Sequence, residues 1–308
     1  MKRWTKKNIP DLSGKVIIVT GGNSGLGFES VKAFAEKGAQ VILACRSLAK
    51  GEKAKASIGE VRGDIVLMPL DLASETSIYA FSKSFKKQFS RLDILLNNAG
   101  VMMRPYELSL FGVESQLATN YIGHFMLNSL LLDVIVKTPQ ARVVSVSSLA
   151  HRKGDLRLDD INYNDGRDYE PMLAYRRSKL ANLYFAYELQ RFFERHNVDA
   201  ISVVAHPGVS PTNIMNHRFP KVLQWFIRPL AQLFLQKVEV GALAQIRAAV
   251  DANVRGGQFY GPSHKREKKG YPILVQSTAA SHDESIARSL WDFSEELTAC
   301  QYSTKALR

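Results

Sequence analysis

The chain has 308 residues, 45% of them hydrophobic, and its 41 basic against 29 acidic side chains leave a formal charge of +12. That length suits one large α/β domain or two small ones. The two cysteines, Cys45 and Cys300, lie far apart and outside any Cys-x-x-Cys spacing, which argues against a disulfide framework or thiolate metal site and fits a reducing compartment.

The excess positive charge gathers at Lys2, Arg3, Lys6 and Lys7 and again at Lys265, Arg266, Lys268 and Lys269. Neither cluster is interleaved with aromatic residues as a single-strand nucleic-acid platform would be. Both are expected to be solvated tail and loop, and no nucleic-acid partner is expected. The basic start runs into Asn8-Ile9-Pro10-Asp11 rather than an apolar stretch, which argues against a signal peptide. No run reaches the 18 or so apolar residues of a membrane span. A cytoplasmic protein is expected, with peripheral membrane contact and homo-oligomerisation left open.

In chain order, residues 1–11 are an N-terminal extension. Residues 15–20 form a short β-branched run that ends in Thr20-Gly21-Gly22-Asn23-Ser24-Gly25-Leu26-Gly27, and helical spacing follows over 28–37, closing at Gly38. Strand 40–44 precedes helix 48–58, strand 65–70 precedes helix 74–89, and strand 92–96 precedes one long helix over roughly 112–136. Strand 142–146, helix 174–195 and strand 200–204 continue the series. A helix from 242 to about 252 and a short strand at 258–260 close it. Apolar strands alternating with helices predict a single-domain, Rossmann-type, doubly wound parallel β-sheet flanked by helices. Its expected span is 12–262, with 263–308 as a C-terminal extension. Two stretches depart from the alternation. Residues 151–171 form a polar insertion carrying Asp155, Asp159, Asp160, Asp165 and Asp168, and residues 219–236 are apolar enough for a substrate lid within about 209–240.

Ligands of such sheets bind outside the carboxyl ends of the strands. There the backbone N–H groups of Gly21, Asn23, Ser24, Gly25, Leu26 and Gly27, with the following helix N-terminus, would hold a pyrophosphate. A fold selecting NAD usually places an acid at the end of the second strand, whereas this chain has Cys45-Arg46. A guanidinium there offers a planar fork for a 2′-phosphate, so NADP(H) is the preferred cofactor, NAD(H) remains open, and Lys50 is a candidate helper. Asp71 and Leu72 end the third strand, where the carboxylate suits the adenine amino group. The small residues of Asn97-Asn98-Ala99-Gly100 end the fourth and let the backbone approach the adenine ribose. His206-Pro207-Gly208-Val209 ends the sixth, with Thr212 in reach of a carboxamide or phosphate; His206 reads as a strand-end residue.

The chemistry centres on Tyr175 and Lys179. At i and i+4 on a helix they share a face, so the ammonium can stabilise the phenolate and lower a tyrosine pKa that is ordinarily about 10. Ser147-Ser148 ends the fifth strand, either hydroxyl being suited to a substrate oxygen or to a plain cap. Asn120 sits mid-helix, where a short amide competes with the backbone, so it either caps a kink or has a role in the site. No metal site is expected.

Together, Thr20, Gly21, Gly25 and Gly27, then Asn97 to Gly100, Tyr175 with Lys179, and Pro207-Gly208 resemble the short-chain dehydrogenase/reductase family over residues 12–262. Ala44-Cys45-Arg46, Val146-Ser147-Ser148-Leu149-Ala150-His151 and Leu158-Asp159-Asp160-Ile161 resemble its branch of retinol dehydrogenases, WW-domain oxidoreductase and protochlorophyllide reductases. The resemblance implies Ser148 as the catalytic serine, with Ser147 as fallback, and Tyr175 as acid/base. It implies Lys179 as the group that binds the nicotinamide ribose and tunes Tyr175, and Asn120 as organiser of a water in a proton relay. The implied activity is NADP(H)-dependent interconversion of a carbonyl and an alcohol on an apolar retinoid, steroid or other lipid-like substrate. A non-catalytic nucleotide sensor is the alternative, disfavoured by the intact proton-transfer set; a nucleotide-sugar epimerase or dehydratase is disfavoured by the short C-terminal region.

Overall fold

The computed structural model describes residues 3–209 and 236–303. Eight strands form one sheet in the order β3-β2-β1-β4-β5-β6-β7-β8. They are β1 (Val16–Thr20), β2 (Gln40–Cys45), β3 (Asp64–Pro69), β4 (Ile94–Asn97), β5 (Ala141–Val146), β6 (Ala200–Ala205), β7 (Phe259–His264) and β8 (Lys269–Val275). The first seven pair in parallel, and β8 returns antiparallel to β7, with Phe259 opposite Val275. Successive side chains of a strand point to opposite faces. Accordingly Val16 and Ile18 enter one hydrophobic cluster while Ile17 and Val19 enter the other. Burial on both faces requires continuous apolar runs, and β1 shows one.

The connecting helices are α1 (Gly25–Glu36), α2 (Leu48–Ile58) and α3 (Glu75–Gln88), then α4 (Ser115–Leu117), α5 (Gly123–Leu130), α6 (Leu132–Lys137) and α7 (Pro171–Arg195). The single long helix expected over 112–136 is thus divided. A π-helical turn, Ala118–Ile122, separates α4 from α5, and the backbone leaves helical geometry at Leu131. Its cause is tertiary. The Asn120 side chain pairs with both backbone groups of Val101, and Gly123 packs so tightly on the Leu72 carbonyl that a Cβ would sit 2.1 Å from its oxygen. α7 starts at Pro171, a residue well suited to a first helical turn, earlier than the expected 174.

The stretch after 262, expected as an extension, adds β8 and the helix α9 (Glu284–Thr298) that follows α8 (Val238–Val250), the numbering being that of the described elements. On α9, Trp291 stacks on Phe185 and Phe192 of α7, and Tyr302 lies 4.4 Å from Trp291 between ring centroids. Each such aromatic pair contributes about 0.5–1.5 kcal/mol beyond its buried area. At the other end Trp4, Ile9 and Leu12 are buried against the second cluster. No helix among the described residues is long and apolar enough to cross a membrane.

Candidate active site

The strand order reverses between β1 and β4, and the cleft outside their carboxyl ends is the expected ligand position of such a sheet. Gly21 and Gly25 have φ of +65° and +55°, values that L side chains avoid, and they turn the chain from β1 into α1. A Cβ on Gly27 would lie 2.4 Å from the Gly21 carbonyl oxygen and 2.5 Å from the Asn98 amide nitrogen, so only glycine lets α1 start this close to the neighbouring loop. Thr20 ties the two loops together. Its Oγ1 accepts from the Asn98 and Ala99 N–H groups at 2.9 Å each, and the Asn98 side chain donates to the Thr20 carbonyl at 2.7 Å.

The cleft beside this loop, about 260 Å³, is lined by Gly21, Asn23, Ser24, Gly25, Leu26, Gly27, Arg46, Asp71, Leu72, Ala99 and Gly100. It opens into a larger groove of about 1020 Å³ that carries Arg46, Lys50, Lys53 and Arg104 on its wall. Arg46 is exposed and faces both spaces. The Asp71 carboxylate accepts from the Ala73 N–H at 3.0 Å, which fixes it at the rim.

The proton-transfer candidates meet at the ends of β4 and β5. The Lys179 ammonium donates to the Val146 carbonyl at 3.0 Å and lies 5.8 Å from the centre of the Tyr175 ring. Gly100 separates this ammonium from the Asn120 amide, since a Cβ there would meet Asn120 Oδ1 at 3.2 Å and Lys179 Nζ at 3.4 Å. The two adjacent serines diverge. Ser147 is buried and donates to the Lys179 carbonyl at 2.7 Å, a packing bond that holds α7 on β5. Ser148 faces the Tyr175 phenol, whose upward pKa shift it opposes, and its oxygen caps the following turn by accepting from the Ala150 N–H at 3.2 Å.

Burial governs the electrostatics here. Lys179 is pushed down to about 8 because its ammonium has lost water, and Tyr175 is raised above its ordinary value for the same reason, with the Ser148 side chain opposing. The sequence-level expectation of a lowered tyrosine is therefore not what this structure shows. The ammonium is hydrogen-bonded to a carbonyl rather than to the phenol, and both residues are buried.

Gly208 adopts φ +72° at the end of β6, and Val209 bonds to the Lys268 carbonyl at 3.0 Å. Thr212 and residues 210–235 of the expected lid lie outside the described residues. His124 was missed by the reading of the sequence. It is buried, its Nδ1 meets the Asn120 carbonyl at 3.0 Å, and its Nε2 meets Thr20 Oγ1 at 2.9 Å, joining the glycine loop to the π-turn. Desolvation holds it neutral, with its pKa down to about 4. A carbonyl only accepts, so Nδ1 carries the proton and Thr20 donates to Nε2. The available signal was the Asn120-x-x-x-His124 spacing, which places both side chains on one helical face. Among the described residues no group of acidic, histidine and cysteine side chains could hold a metal ion.

A doubly wound sheet with this glycine loop and a Ser-Tyr-Lys cluster at its carboxyl edge defines an oxidoreductase class, and the short chain dehydrogenase family model matches residues 15–159. The chain belongs to that family. It is 36% identical over 291 residues to human Retinol dehydrogenase 11, covering 93% of this chain and 86% of the relative. It is 37% identical over 300 residues to the WW domain-containing oxidoreductase of Gallus gallus, covering 93% of this chain and 69% of the relative. A crystal structure of an uncharacterized protein from Mycobacterium Paratuberculosis superposes with a TM-score of 0.82 at 35% identity, covering 98% of this chain and 100% of that one. The chain is accordingly an oxidoreductase enzyme of the short-chain dehydrogenase/reductase type.

Proposed function

We propose that this enzyme interconverts a carbonyl and an alcohol on an apolar, lipid-like substrate, such as a retinoid or steroid aldehyde or ketone, using NADP(H) in preference to NAD(H). The observation that carries the reading is the meeting of Ser148, Tyr175, Lys179 and Asn120 beside a glycine loop that no side chain could fill. The residues fit a dinucleotide. Backbone N–H groups at the α1 N-terminus suit a pyrophosphate, Asp71 suits an adenine amino group, and the exposed Arg46 suits a 2′-phosphate. The substrate class draws on the retinol dehydrogenases among the relatives.

When bound, the nicotinamide supplies or accepts the hydride. In the reducing direction Ser148 would donate a hydrogen bond to the substrate oxygen, stabilising charge as it develops. Tyr175, its neighbour, would give up the phenolic proton to that oxygen. Lys179 would bind the ribose and stabilise the resulting phenolate, and it starts with an ammonium already weakened toward about 8 by burial. Asn120, held to Val101 and Ser178, would keep a water in line for reprotonation.

Purified protein incubated with NADPH and then NADH across a panel of retinoids, steroids and simple ketones tests the proposal. Turnover with NADPH on apolar members is the expected result. Binding of either cofactor without turnover on any carbonyl would return the chain to the sensor reading.

A further inference from the structure

His206 is completely buried at the carboxyl end of β6, and nothing in the proton chemistry above uses it. Its Nδ1 accepts from the Gly208 N–H at 3.2 Å, so the ring proton sits on Nε2 and is donated to Glu267 Oε2 at 2.9 Å. A Cβ on Gly261 would lie 2.1 Å from that nitrogen, so β7 leaves room for the ring by carrying glycine beneath it. Glu267 belongs to the turn between β7 and β8, where Lys265, Arg266 and Glu267 have φ of 52°, 56° and 62°. Three successive non-glycine residues in the left-handed region are unfavourable on their own, so the contacts of this turn must hold them there.

Those contacts lead to the active site from two sides. The second carboxylate oxygen of Glu267 accepts from Arg152 at 2.7 Å, and Arg152 stands in the 3₁₀ turn Leu149–Lys153 that Ser148 caps. The first oxygen holds His206, which orients Gly208. The same turn presents the Lys268 carbonyl to the Val209 N–H at 3.0 Å, at an approach so close that a Cβ on Gly208 would lie 2.5 Å from that oxygen. Gln236 reinforces the arrangement by donating to the Pro207 carbonyl at 3.3 Å and accepting from the Gly270 N–H.

We propose that Glu267 is a positioning residue of the oxidoreductase site, whose two carboxylate oxygens lock the Ser148 turn and the Pro207–Gly208–Val209 loop at a fixed spacing. The inference rests on the functional reading above, in which Ser148 polarises the substrate oxygen, and on the sequence expectation that the segment ending β6 faces the cofactor's carboxamide or phosphate. One carboxylate oxygen is engaged by a fully buried imidazole and the other by the guanidinium of Arg152, whose side chain is 40% exposed, so the His206 side of the clamp is held more firmly than the Arg152 side. Losing the carboxylate should let both segments drift from the geometry hydride transfer needs, a displacement to which such reactions are sensitive.

The test measures NADPH affinity by fluorescence titration, kcat and KM with the best carbonyl of the panel, and Tm, for the native protein, Glu267→Ala, Glu267→Gln and Arg152→Ala. Glu267→Ala is expected to weaken NADPH binding and to lower kcat by about ten-fold each, the size of a lost charge-assisted contact. Glu267→Gln, which retains one acceptor, should recover much of this, and Arg152→Ala should lower kcat while leaving NADPH affinity close to native. If Glu267→Ala fails to fold, the contrast between Glu267→Gln and Arg152→Ala decides. Variants that lose only Tm while binding NADPH and turning over like the native protein would reduce Glu267 to a hairpin staple and overturn the proposal. A native protein that binds no nicotinamide cofactor would overturn the functional reading and this proposal with it, whereas native turnover with unaffected variants overturns this proposal alone.

Discussion

Lys179 is expected to destabilise the fold that it serves, and Lys179→Met measures by how much. Lys179 is 5% exposed, and its pKa falls from the ordinary 10.5 to about 8 because burial penalises the charged form. At about 1.4 kcal/mol per pH unit, that difference corresponds to roughly 3 kcal/mol of native-state stability forgone at neutral pH. Methionine fills a similar volume without a charge. The carbonyl that Lys179 leaves is not orphaned, because the Asn182 side chain also donates to Val146 O at 3.0 Å. The variant should therefore be more stable than the native protein at pH 7 by an amount between about 1 and 3 kcal/mol, allowing for one lost hydrogen bond. The sign follows from proton binding. Between about 8 and 10.5 the unfolded chain holds the lysine proton and the folded chain has released it, so native stability rises with pH across this window. The advantage of the variant is complete below about 8 and should vanish by 10.5. Urea unfolding of both proteins at a series of pH values reads this directly, and turnover should be lost in the variant. A Lys179→Met protein less stable than native at pH 7, or one whose advantage does not change with pH, would refute the account of a burial-strained ammonium.

Tyr175→Phe keeps the ring in its buried position and removes only the hydroxyl, so NADPH binding should persist while turnover falls at least about 100-fold, the lower range for lost general-acid catalysis; single-turnover kinetics on the best carbonyl would show it. Arg46→Asp should weaken NADPH binding about ten-fold or more and spare NADH, reflecting a charge-assisted contact of about 1.5–3 kcal/mol, and parallel titrations with the two cofactors provide the comparison. Gly27→Ala drives a methyl to within 2.4 Å of the Gly21 carbonyl oxygen; its expected signature is loss of binding of both cofactors, with a Tm lowered by the same clash, and normal NADPH affinity in this variant would show that the loop can shift.

The alternation of apolar strands with helices was legible in the sequence because strands buried on both faces need unbroken apolar runs, and such runs are local. The glycine loop was legible for a related reason. A turn requiring positive φ at Gly21 and Gly25 and contact without a side chain at Gly27 leaves its mark in residue type. Helical spacing put Tyr175 and Lys179 on one face, while the family resemblance supplied the roles expected of them. Tertiary structure decided what spacing cannot encode. Adjacent hydroxyls look alike in sequence, and only the approach of α7 to β5 commits Ser147 to the Lys179 carbonyl and leaves Ser148 beside Tyr175. The hydrophobic pattern of 112–136 runs through as one helix, and contacts of Asn120 with Val101 and of Gly123 with Leu72 break it. After residue 262, β8 is a sheet edge that only its pairing with β7 reveals, whereas α9 carried a local signal, an Asp283 cap followed by Ala287, Leu290 and Trp291 at helical spacing, that the expectation of a plain extension passed over. The direction in which Tyr175 and Lys179 are shifted also belongs to the fold, since desolvation depends on everything packed around a group, and the chain neighbours of these two residues do not set it.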